Sequence, residues 1–124
     1  MRSNTKFATL KRLATPVNAT AVLTGSQISS GLITSTSPAP VTMTLPTATI
    51  LATNLQAKRG DDLLLIIDNT VGASVVTIAL GTGITTVAIP AITGGGSLAV
   101  AVGEMGFFRF YFSSTTTAKI ARTI

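Results

Sequence analysis

Polar and apolar residues alternate along much of this chain with a period of two, the signature of half-buried strands. Val41-Thr42-Met43-Thr44-Leu45 is the cleanest case, with Val41, Met43 and Leu45 on one face and Thr42 and Thr44 on the other. The same reading gives short strands at Ala19 to Leu23 and Gly31 to Thr34, separated by a turn at Gly25-Ser26. Pro38 and Pro40 lack the N–H a ladder needs, so a new element begins at Val41. Downstream, Ile84 to Ile89 reads as a strand ended by Pro90, and Gly94-Gly95-Gly96 as a corner. Ser97 to Val102 follows, with Leu98, Val100 and Val102 pointing one way, and Glu104 to Gly106 turns the chain. Phe107 to Phe112 sets Phe108, Phe110 and Phe112 against Phe107, Arg109 and Tyr111, and Ala118 to Ile124 closes the series.

Two segments break the alternation. Ala48 to Gln56 carries Ile50, Leu51 and Leu55 at helical spacing behind Pro46-Thr47, which predicts a two-turn helix capped by Thr47 that closes one end of the fold and stops by Gly60. Leu63 to Ile67 is apolar throughout, so both faces of that strand need cover: one from the core, the other from a helix, a loop or another subunit. Ser74 to Leu80 repeats much of this pattern, and the spacing predicts a central hairpin over 62–80. With about eight or nine short strands and no βαβ spacing, the expected fold is all-β: a two-layer antiparallel β-sandwich or small jelly roll with one short helix. Residues 1–17 read as an extended basic arm and 18–124 as the sandwich domain.

Composition sharpens this picture. Apolar residues make up 46% of the 124 and charged residues 10%, where a soluble domain usually carries about 25% charged. Thr and Ser, 32 residues together, form the polar skin instead. Such a skin suits pleated surfaces and offers little like-charge resistance to self-packing. Of the net charge of +5, Arg2, Lys6, Lys11 and Arg12 supply four, with no acid among the first twelve residues. Four cations without interleaved aromatics make a sparse footprint for nucleic acid, and a flexible terminus or one docked on neighbouring subunits is the favoured reading of the arm. No apolar run reaches the roughly twenty residues of a membrane helix, and the N-terminus lacks the continuous apolar stretch of a secretory signal.

Candidate chemistry is sparse. There is no His and no Cys, which removes imidazole bases, disulfides and cysteine metal sites, and no cofactor is expected. Asp61, Asp62, Asp68 and Glu104 are the acids. Asp62 and Asp68 bracket one strand and lie about 20 Å apart, beyond the roughly 5 to 9.5 Å of glycosidase pairs. Asp61 with Glu104 is the pair that spacing leaves open. No Lys-Ser/Thr follows the glycines at 81, 83 and 94–96, so they read as turns rather than phosphate loops. Arg59-Gly60-Asp61 matches a short adhesion tripeptide, with an ordinary solvated corner as the other reading. An enzyme is not expected. The residues expected to meet partners are Arg2, Lys6, Lys11 and Arg12 in the arm, and Leu64, Ile66, Val76, Phe107, Arg109 and Tyr111 on the body.

Leu45-Pro46-Thr47-Ala48, Lys58-Arg59-Gly60-Asp61, Ile67-Asp68-Asn69-Thr70, Thr77 to Gly83 and Phe108-Arg109-Phe110 through Ser113-Ser114 together resemble a family of small β-rich virion proteins. These are minor capsid or decoration (cement) proteins of double-stranded DNA phages and large viruses, and the resemblance covers residues 40–124. It implies a non-enzymatic subunit of the virion, often a homotrimer, seated on or between major capsid proteins. Two other jobs stay open: a major shell subunit whose arm touches packaged genome, and a receptor-binding or fibre module using the Arg59–Asp61 corner or a Tyr111 patch.

Overall fold

The computed structural model describes residues 13–87 and 98–123. Ten strands and two helices follow in the order β1 (Thr15–Pro16), β2 (Ala21–Val22), α1 (Gly25–Ser29), β3 (Leu32–Thr34), β4 (Val41–Thr44), α2 (Ala48–Leu55), β5 (Asp62–Asp68), β6 (Val76–Ala79), β7 (Ile84–Thr86), β8 (Ala99–Val100), β9 (Met105–Phe112) and β10 (Ala118–Arg122). They form a six-stranded sheet, β1-β3-β5-β9-β10-β7, and a four-stranded sheet, β2-β4-β6-β8. The result is a layered two-sheet β-structure with minor helical content.

Pairing departs from the antiparallel order expected above. Five of the eight strand pairings among the described residues are parallel and three antiparallel. The cause lies in the path of the chain. From β1 to β8 consecutive strands alternate between the two sheets, so sheet neighbours such as β3 and β5, or β4 and β6, come two strands apart in sequence and run the same way. The other sheet thus supplies the crossover that a parallel pair needs. A hairpin over 62–80 is therefore absent: β5 lies in the six-stranded sheet between β3 and β9, and β6 in the four-stranded sheet between β4 and β8.

Local chemistry accounts for the helices. Thr47 accepts a hydrogen bond from Ile50 N–H at 3.2 Å, as a cap should, and α2 ends where Gln56 adopts a left-handed φ of 55°. The expected turn at Gly25-Ser26 is instead the first turn of α1. Thr24 and Gln27 form a reciprocal capping box, Thr24 Oγ1 accepting from Gln27 N–H and Gln27 Oε1 from Thr24 N–H. Gly25 is required there by close approach, since a Cβ would stand 2.4 Å from Asn54 Cβ on α2.

One hydrophobic core draws on both sheets and α2. Ile33, Leu65, Ile67, Phe108, Phe110, Phe112 and Ile120 come from the larger sheet, Val41, Met43, Val76, Ile78 and Val100 from the smaller, and Leu51 from α2. The alternations read at Val41 to Leu45 and Phe107 to Phe112 hold residue for residue in burial. The end of the expected arm already belongs to the body: Thr15–Pro16 pairs with β3, and buried Val17 donates its N–H to Thr34 O at 2.9 Å. A proline here is tolerated because β1 is an edge strand.

Candidate interface on the outer face of the larger sheet

Because β5 and β9 are adjacent and antiparallel, their outward residues fall into rows. Leu64 stands opposite Arg109, Ile66 opposite Phe107 and Asp62 opposite Tyr111. Leu32 of β3 extends the second row, and Lys119 and Ala121 of β10 extend the others through Tyr111 and Arg109. Leu64, Ile66 and Phe107 are half-buried by their neighbours, while Tyr111 is 45% and Met105 37% exposed. The expected residues Leu64, Ile66, Phe107, Arg109 and Tyr111 are thus brought together on one face.

Val76 does not join them. It is completely buried on the inward side of β6, so its side chain belongs to the core, and Val75 is the residue that turns outward. Arg2, Lys6, Lys11 and Arg12 lie outside the described residues, as do the expected corner at 94–96 and the end of the strand at 84–89. Val102 also departs from expectation. β8 ends at Val100, the chain turns, and Val102 is 53% exposed.

Arg109 and Asp62 form an ion pair across β5 and β9, each side chain about half exposed. In that solvent it contributes about 0–1 kcal/mol, so it orients the face more than it stabilises the fold. Beside it, Val87, Arg109, Tyr111, Lys119, Ala121 and Thr123 line a mostly apolar groove of about 280 Å³. A second hollow of about 360 Å³ opens between the end of α2 and the start of β5, lined by Leu55, Ala57, Asp61, Asp62, Leu63 and Phe112.

Arg59, Gly60 and Asp61 are exposed at the turn before β5. The Asp61 carboxylate folds back to accept the Lys58 N–H at 2.9 Å, and Gly60, at φ 93°, donates its N–H to Phe112 O. The carboxylate of the tripeptide is thus engaged locally. The open acid pair is resolved too. Asp61 precedes β5 and Glu104 hydrogen-bonds through its carbonyl to Asn69 past the other end, eight residues along the strand direction, so the two backbones stand about 26 Å apart. Among the described residues no group of three acids, His or Cys is placed to hold a metal. Asp68 is held below the usual carboxylate range by hydrogen bonds from the Thr70 hydroxyl (2.6 Å) and N–H (3.0 Å).

Asn69 was not singled out by its sequence context, a turn signal shared with many Asn residues. It is completely buried and its Nδ2 donates to Ser74 O, Val100 O and Ala101 O at 2.9, 3.1 and 3.2 Å. Its backbone completes the clamp, N–H to Glu104 O and carbonyl from Gly103 N–H. Gly72 is fixed by the same side chain, since a Cβ there would stand 2.0 Å from Asn69 Oδ1. The signal available was position: Asn69 continues the inward series Leu65, Ile67, where an amide must find partners.

Comparison with known proteins finds no matching family model, no similar curated protein and no similar solved structure. No helix among the described residues is long and apolar enough to cross a membrane.

Proposed function

We propose that this chain is a structural subunit of a virus particle: a minor capsid or decoration (cement) protein that works as a homo-oligomer, a trimer, and binds the major capsid protein. Its two sheets act as the layers of a sandwich, and the basic residues Arg2, Lys6, Lys11 and Arg12 reach a neighbouring subunit. The observation that carries this reading is the outer face of the larger sheet. Leu64, Ile66 and Phe107 form an apolar stripe continuous with exposed Tyr111 and Met105, on a molecule whose polar skin is mainly Thr and Ser. Apolar stripes rimmed by a few charges suit protein contact, and weak contacts repeated around a particle become strong through multivalency.

Deletion of residues 2–12 tests it on particles that carry the protein. Reduced capsid occupancy with an unchanged circular dichroism spectrum is the expected result. Unchanged occupancy with loss of packaged genome would instead favour a shell subunit that contacts nucleic acid, and assembly of closed particles by this chain alone would do the same.

A further inference from the structure

Two surface features at different places on the molecule match one another. The first is a tip where the β5–β6 connection meets the β8–β9 turn. Val71, 76% exposed, and Val102, 53% exposed, stand on these two loops, and Asn69 pins both through five hydrogen bonds. Exposed apolar side chains on fixed backbone lose little freedom when covered, and a β-branched residue has few rotamers to lose. Two carboxylates flank the tip, Asp68 at the end of β5 and Glu104 before β9. The second feature is the groove beside β10, with Val87, Tyr111 and Ala121 as apolar lining and two cations, Arg109 and Lys119, at its sides.

Charge and size agree. Among the described residues Arg109 is paired with Asp62 and Glu104 with Arg122, which leaves Asp68 as the charge without an ion-pair partner at the tip and Lys119 at the groove. Two valine side chains comprise six carbon groups of roughly the 30 Å³ that a water occupies, about 180 Å³ in all. The groove measures about 280 Å³. A single chain does not bring the two together, because Met105 beside the tip and Tyr111 in the groove lie six residues apart on β9, about 20 Å.

We propose that copies of this chain associate head to tail, the Val71–Val102 tip of one seated in the Val87–Ala121 groove of the next. This rests on the homo-oligomeric part of the reading above and specifies its contact. Since tip and groove are different patches, the contact is heterologous and closes into a ring when the rotation permits, as a trimer requires. The groove adjoins the apolar stripe through the Arg109–Leu64 row, so the docked tip extends the covered area onto Leu64 and Phe107.

Sedimentation velocity of the full chain across the micromolar range tests it with two variants. Val71→Asp places a charge on the tip and leaves the groove intact, and Ala121→Trp fills the groove and leaves the tip intact. Each alone is expected to weaken self-association at least about tenfold, a change of about 1.4 kcal/mol. Mixed together, they are expected to form a 1:1 dimer that grows no further, since one good tip and one good groove remain. Circular dichroism and thermal melting verify both folds, and Val102→Asp replaces Val71→Asp if the latter melts early. A monomeric wild type, variants that associate like wild type, or a mixture that stays monomeric each overturn the contact. Particle occupancy reads the virion proposal separately: a chain that forms rings but leaves capsids bare sinks that reading and keeps this contact.

Discussion

Along β9, Phe108, Phe110 and Phe112 are sealed in the core, while Phe107, Arg109 and Tyr111 stand on the opposite face with Tyr111 nearly half exposed. The two faces are built from the same strand, and both carry aromatics. Side-chain chemistry alone does not separate them. What separates them is cover: the inner row meets the four-stranded sheet and α2 across one hydrophobic core, and the outer row stays half-buried or exposed among the described residues. β5 repeats the lesson without aromatics, since Leu65 and Ile67 are fully buried and Leu64 and Ile66 half-buried. A face this apolar, left half open, is stable in the fold and unsatisfied outside it.

The largest contrast comes from truncating one residue on each side. Phe110→Ala removes a completely buried ring, and the lost transfer energy plus the cavity cost about 3–5 kcal/mol, much of a small domain's stability. Tyr111→Ala, one residue on, is expected to cost under about 1 kcal/mol in the same urea titration, because its ring is already half in water. Equal losses at the two sites would mean the outer face is covered by the chain itself.

Asn69 sharpens the comparison, because it occupies an inner-face position with a polar side chain. Asn69→Leu supplies the apolar group that the inward pattern calls for and strips the side-chain donor from Ser74, Val100 and Ala101 carbonyls. At about 0.5–1.5 kcal/mol net for each bond, a loss of about 2–3 kcal/mol is expected, with faster amide exchange at Gly103 and Glu104 as the local sign. A neutral or stabilising result would show that the loops hold without the clamp.

Next in size, Phe107→Ser is expected to change monomer stability by about 1 kcal/mol or less while reducing self-association in sedimentation, since the ring stands on the outer face opposite Ile66 and is half-buried. Loss of folding without loss of association would place Phe107 with the inner row after all.

How much of this was legible in the sequence follows from what alternation encodes. At Val41 to Leu45 and Phe107 to Phe112 a period of two tells which side chains turn inward, and both readings match the burial. Thr47 announced α2 by its hydroxyl and the helical spacing behind it. Alternation says nothing about which strand lies next to which. The parallel order and the separation of β5 from β6 were therefore invisible, and a short connection between two apolar runs looked like a hairpin. α1 was hidden by its five-residue length and by Gly25, although the Thr24–Gln27 box was there to be read. Val76 and Leu64 give the same apolar signal in sequence; only the pairing of β6 between β4 and β8 turns Val76 wholly inward.

The smallest expected effect lies at the outer end of β5 and is a matter of pH. Asp68 follows Ile67, the last apolar residue of the inner row, but faces outward, and its carboxylate is held below its usual range by the Thr70 hydroxyl and N–H, against a smaller opposing effect of burial. A carboxylate with a lowered folded-state pKa binds protons less readily in the native than in the unfolded chain. Its contribution to stability is thus fully present above the unfolded value of about 3.9 and is lost as pH falls through that value and then through the lower folded one. Asp68→Asn is expected to narrow the difference in urea midpoint between neutral and acid solution, and Thr70→Val to narrow it in the same direction while keeping the charge. Both effects are small because the group remains largely in water. Identical pH profiles for wild type and both variants would show that the Thr70 bonds do not hold the ionised form in solution.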